Sequence, residues 1–149
     1  MNGFSTEPTP ESEWYKLIKE AQQLSGYHFE DPIQNYLMLT LNHYTSLCDF
    51  SSNIIAIDYL EHVKLESQQD VHAIRDVGDQ CLLLSGLFPQ RVIQKNVSLH
   101  YVVGIGKQAY HSIATAQHRE KYDNALFYRL YENFVGLMDL LHHMRNQRS

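Results

Sequence analysis

Cys81-Leu82-Leu83-Leu84 limits what this chain can fold into more than any other stretch. Just upstream, Val71, Ile74, Val77, Gly78, Cys81 and Leu82 recur at three- and four-residue spacings, which is one broad face of a helix beginning near Gln68. From Cys81 to Leu84 the apolar character goes all the way round, and a helix apolar on every side must be covered on every side. The pattern predicts a central buried helix over about residues 68–88, with Gly86 and Pro89 supplying its stop.

Amphipathic stripes with start and stop signals flank that helix. Thr9-Pro10-Glu11 opens the first with a capping hydroxyl, a proline and an acid at the positive end of the dipole. Trp14, Leu17, Ile18 and Ala21 form its apolar stripe, and Gly26 ends it. Asp31-Pro32 repeats the start signal, and Ile33, Tyr36, Leu37, Thr40, Tyr44 and Leu47 trace a face through to Cys48. Met38, Leu39 and Leu41 lie off that face, so this helix is expected to be covered on two sides. Ile55, Ala56, Tyr59, Leu60 and Val63 predict a shorter helix that fades near Glu66. After Pro89, Gln90 to Asn96 reads as a short turn of helix or a loop. Ser98 is the cap of a helix with the stripe Leu99, Val102, Val103, Gly106, Tyr110 and Ile113. The last helix is expected from about Lys121 to Met144, burying Ala125, Leu126, Leu130, Phe134, Leu137, Leu141 and Met144. The sum is an all-α, single-domain bundle of five or six helices at 9–149, behind a flexible N-terminal arm at 1–8.

Within that bundle Gly106 costs about 1 kcal/mol against alanine. Close approach of a neighbouring backbone would compensate, with Gly78 as the matching flat spot.

Composition narrows the function classes. A 44% hydrophobic and 19% charged chain of 149 residues can bury a real core. Its formal charge of -5, with scattered Lys and Arg, argues against a nucleic-acid partner. The N-terminus lacks the basic start and apolar run of a secretory signal, and no apolar run reaches the ~20 residues of a bilayer crossing. No membrane association is expected. Cys48 and Cys81 sit in apolar helical patterns without Cys-x-x-Cys spacing, which fits buried free thiols in a reducing cytoplasm.

The constellations with the residue types for chemistry are incomplete. Gly104-Ile105-Gly106-Lys107 invites a phosphate-loop reading, but Tyr101 stands where the first glycine belongs and Gln108 replaces the magnesium-binding hydroxyl. Helix packing explains those glycines better. Nine histidines require metal binding to be weighed. Asp58 and His62 share a helix face, and Asp139 lies one turn before His142 and His143. Carboxylate and imidazole at such spacings build di-metal sites in bundles. Glu61 and Glu132 are not in repeated Glu-x-x-His motifs, so the metal candidates are Asp58, His62, Asp139 and His142, against a bland alternative of solvated helix faces. Ser85 lacks a nucleophile elbow, and Cys81 lacks a nearby cation to lower its pKa; both read as core. No catalytic residue and no cofactor-binding residue is assigned. Asp76 and Asp79 flank Gly78 on the central helix, and a buried carboxylate must be paired: with Arg75, with Arg91 or with a tyrosine from another helix. Tyr128 and Tyr131, with Arg129 beside them, are the interface candidates, because aromatic residues with arginine suit partner surfaces.

Three segments together resemble a known family: Asn35-Tyr36-Leu37 through Asp58-Tyr59-Leu60, Arg75-Asp76-Val77-Gly78-Asp79-Gln80-Cys81-Leu82-Leu83-Leu84-Ser85-Gly86-Leu87-Phe88-Pro89, and Val97-Ser98-Leu99-His100-Tyr101. The family is one of small all-helical bacterial (proteobacterial) proteins without an assigned activity, and the likeness spans roughly residues 32–115. It implies a bacterial cytoplasmic protein and supplies no catalytic residue. The functional expectation is a non-enzymatic interaction or scaffold protein, partnered by itself as a homodimer or by another protein. The alternative is a metal- or small-ligand-binding bundle, which would open the way to an enzyme, with its pocket near Asp58, His62, Asp139 and His142.

Overall fold

The computed structural model describes residues 9–45, 71–116 and 122–147. Among these residues there are seven helices and no strand. They are α1 (Pro10–Ser25), α2 (Asp31–Thr45), α3 (Val71–Leu87), α4 (Pro89–Gln94), α5 (Leu99–Thr115), α6 (Asn124–Glu132) and α7 (Phe134–Gln147). The arm at 1–8, Leu47, Cys48 and the helix expected at 55–66 lie outside the described residues.

Local chemistry sets most helix ends. Thr9 Oγ1 accepts from the Ser12 N–H at 3.0 Å while Ser12 Oγ accepts from the Thr9 N–H at 2.9 Å, a reciprocal cap for α1. Gly26 stops that helix at φ +85°, a conformation L side chains resist, and its N–H donates to the Gln22 carbonyl at 2.9 Å. Ser98 caps α5, and the Asp123 carboxylate caps α6 by accepting from the N–H groups of Ala125 and Leu126.

As its all-round apolar sequence requires, α3 is the hub. Cys81 to Gly86 are all buried, and α3 packs most extensively on α5 and then on α7. The core joins Ile18 and Ala21 of α1, Ile33, Leu37 and Leu41 of α2, Tyr110 and Ile113 of α5, and Phe134, Leu137 and Leu141 of α7.

Three expectations are corrected. Gly86 does not stop the central helix: it lies inside α3, where a Cβ would come 2.7 Å from Leu141 Cβ, so its smallness lets α7 approach. The stop falls at Phe88, and Pro89 opens α4 at its first position, where a missing N–H costs nothing. Gly78 and Gly106 do not face one another. A Cβ on Gly78 would strike the Tyr110 ring at 2.6 Å, and one on Gly106 would meet the Phe134 ring at 2.5 Å and Cys81 Cβ at 2.8 Å. Each glycine admits a side chain from across the α3–α5 contact, and Gly106 also admits Phe134 from α7. The expected last helix is two helices. Asn133 interrupts it, its side-chain amide donating to the Arg129 carbonyl at 2.8 Å and capping the end of α6. The buried face of α6 is Phe127 and Leu130, and Ala125 is exposed.

Candidate functional site

Asp79 is the buried charge of the described bundle. It stands on α3 two residues before the all-apolar segment and is 5% exposed. Its Oδ1 accepts from the Tyr36 hydroxyl of α2 and the Tyr110 hydroxyl of α5, both at 2.7 Å. Three helices therefore converge on one oxygen. Burial pushes the Asp79 carboxyl up to about 6, while the two tyrosine hydrogen bonds and the Arg75 charge hold it lower than burial alone would. Tyr36 and Tyr110 are themselves raised, chiefly by burial and by the Asp79 charge, so both stay protonated donors. The rings support the arrangement: Tyr36 and Tyr110 meet edge to face, and Phe127 packs against both.

The second carboxylate oxygen is served differently. Arg75 Nε lies 3.9 Å from Asp79 Oδ2, beyond hydrogen-bond length. That Nε is buried and has no hydrogen-bond acceptor among the described residues, while the far end of the guanidinium pairs with Asp76 at 3.1 Å. A cleft of about 260 Å³ opens here, lined by Tyr36, Leu39, Thr40, His43 and Tyr44 of α2 and by Arg75, Asp76 and Asp79 of α3. Two tyrosines therefore hold Asp79, Arg75 stands nearby, and Asp76 pairs with Arg75 at the rim. The sequence placed both tyrosines on apolar stripes without assigning them to Asp79. The usable signal is that these apolar stripes carry tyrosines, not phenylalanines, at positions 36 and 110.

A second region lies on the opposite side of α5. His100, Gly104, Lys107 and His111 follow one another along its outer face at helical spacing. With Val103, Gln108, Tyr131 and Val135 they line a groove of about 440 Å³. Lys107 Nζ sits 5.5 Å from the centre of the Tyr131 ring, and the His111 ring packs on Tyr131 at 4.8 Å. Val135 of this lining is about half exposed, as are Tyr101 and Tyr128. Tyr128 and Tyr131 thus share one aromatic surface, with ring centres 5.8 Å apart. Their neighbour Arg129 reaches instead to Glu30, at 3.2 Å.

The metal candidates are placed as follows. Asp139 accepts from the Tyr27 hydroxyl at 2.9 Å, tying the α1–α2 loop to α7. His142 Nε2 lies 3.1 Å from the Ser85 carbonyl, at the end of α3. Neighbouring His143 turns back to the Asp139 backbone carbonyl. Asp58 and His62 lie outside the described residues. Among the described residues, no three His, Cys, Asp or Glu side chains are grouped to hold a metal ion. Cys81 is a buried free thiol, raised by burial, and the Ser85 hydroxyl donates to the Cys81 carbonyl, so both are core residues. The Gly104-to-Lys107 run lies within α5 and forms no phosphate-binding loop. Among the described residues, no helix is long and apolar enough to cross a membrane.

No family model, curated protein or solved structure matches this chain.

Proposed function

We propose that this is a non-enzymatic interaction protein that works as a homodimer through the outer face of α5, α6 and α7. The observation that supports the reading is Gly104. Among the helix glycines described, Gly78, Gly86, Gly106 and Gly136 each have a side chain close to where a Cβ would stand, whereas Gly104 has nothing within 4 Å. A glycine in a helix interior costs about 1 kcal/mol against alanine, and no internal packing at Gly104 offsets it. A flat spot beside the exposed Tyr101, Tyr128 and Val135 suits close approach from outside the chain.

A second copy fits because notch and knobs lie on the same face. A two-fold axis would place the aromatic knobs of each copy in the groove of the other, as an isologous contact requires. Lys107 and the exposed Glu132 on this side supply opposite charges for the rim. The buried free thiol of Cys81 suits a cytoplasmic setting.

Native mass spectra of the untagged protein, with and without a chelator, test this. A dimer without added mass is expected, together with at least tenfold weaker association in Tyr128→Glu. A monomer at tens of micromolar, by the same spectra, would reject the proposal. A stoichiometric metal lost on Asp139→Ala or His142→Ala would move the function to the metal-binding alternative.

A further inference from the structure

The cleft between α2 and α3 shares no residue with the association face, and its floor has an incomplete set of hydrogen bonds. Arg75 Nε–H is a buried donor with no acceptor among the described residues. Asp79 Oδ2 lies 3.9 Å away, and the Tyr36 and Tyr110 hydroxyls donate to the other oxygen, Oδ1. A buried donor left unmade loses its hydration with no bond in return, so Arg75 Nε–H calls for an acceptor. One oxygen atom at about 2.8 Å from each group closes the triangle, accepting from Nε–H and donating to Oδ2.

The charges around the floor select among ligands. Arg75, Asp76 and Asp79 are all on the wall. A carboxylate would satisfy Arg75 but face two acids. An ammonium would satisfy an acid but lose solvent beside the guanidinium. A hydroxyl is donor and acceptor in one neutral atom and meets both groups without either penalty. The rest of the wall, Leu39 and the rings of Tyr36, His43 and Tyr44, suits a small apolar or aromatic body.

We propose that this cleft binds a small neutral ligand through a hydroxyl group that bridges Arg75 Nε and Asp79 Oδ2. Thr40, Leu39 and the tyrosine rings hold the body of the ligand. Water makes the same bridge, so it is affinity for the carbon body that distinguishes a ligand site from a structural water.

The test is a titration of the full-length protein with benzyl alcohol, benzylamine and benzoate, followed by backbone amide NMR. These probes share a ring and differ in the charge of the polar group. Benzyl alcohol is expected to shift the amides of Tyr36, Thr40, Arg75 and Asp79, with a Kd on the order of 1 mM for so small a molecule. The charged probes are expected to bind at least tenfold more weakly. Arg75→Lys keeps the charge and deletes Nε–H, and should weaken benzyl alcohol about tenfold; Asp79→Asn, which replaces an acceptor oxygen by a donor, should do the same. Shifts elsewhere, equal affinity for the three probes, or full affinity in both variants would overturn the proposal. No binding of benzyl alcohol would overturn it too, leaving a water site.

Discussion

The two sides of α5 carry the same residue types for opposite reasons. On the inner side, Gly106 admits Phe134 and Cys81, and Tyr110, one turn on, enters the flat spot at Gly78 and reaches Asp79. On the outer side, Gly104 meets nothing, and the neighbouring Lys107, His111 and Tyr131 form an open groove. Two glycines two residues apart thus have different physics: one makes room for core packing, and the other lowers helix stability without any internal contact to show for it. The lesson is that helix glycines cannot be interpreted from spacing alone. The inner face should govern stability and the outer face association.

The largest effect should come from the inner face, through Asp79. Its ordinary carboxyl value of 3.8 rises to about 6 in the fold, so the folded state binds the proton more tightly than the unfolded chain. Stability therefore falls as pH rises from about 4 to about 6 and levels off above, by about 3 kcal/mol over that window. Denaturant melts of wild type and Asp79→Asn across this range should differ by that slope, the variant lacking it. Parallel profiles would mean that Asp79 is better solvated than its burial implies.

Gly106→Ala comes next. The new methyl would press on the Phe134 ring and on Cys81 Cβ, neither of which can retreat without moving a packed helix. Overpacking of this kind, partly offset by alanine's better helix propensity, should destabilise by about 1–2 kcal/mol in urea unfolding. A stabilised variant would show that the α3–α5 contact is looser than its geometry.

Gly104→Ala should do the reverse, and less. Open space at its Cβ lets the methyl act through propensity alone, raising monomer stability by about 0.5–1 kcal/mol. If the outer face is the dimer contact, the same change should weaken association about tenfold in sedimentation. Stabilisation with unchanged association would separate the two faces as proposed but move the dimer contact elsewhere.

Much of the fold was legible because its causes are local. The capping box at Thr9, the positive-φ Gly26, the Ser98 cap and the periodic stripes all act within a few residues of themselves. The all-round apolar run at Cys81 likewise announced its own burial. The chemistry of the site was less legible. A buried Asp79 needs a partner, but the choice between Arg75, Arg91 and a tyrosine depends on which helices cross at that level. Tyr36 and Tyr110 are 43 and 31 residues away along the chain.

Hydrophobic period and capping are properties of short segments, and they suffice for an all-helical chain, a buried central helix and most of the helix starts. Packing between helices decided that Gly86 would lie within a helix against Leu141, that Asn133 would divide the last helix, and that two tyrosines would close on one carboxylate oxygen. It also decided that Gly104 would face outward while Gly106 faces in. Each of these depends on which side chains meet across helices, and packing between distant segments leaves no periodic trace in either one.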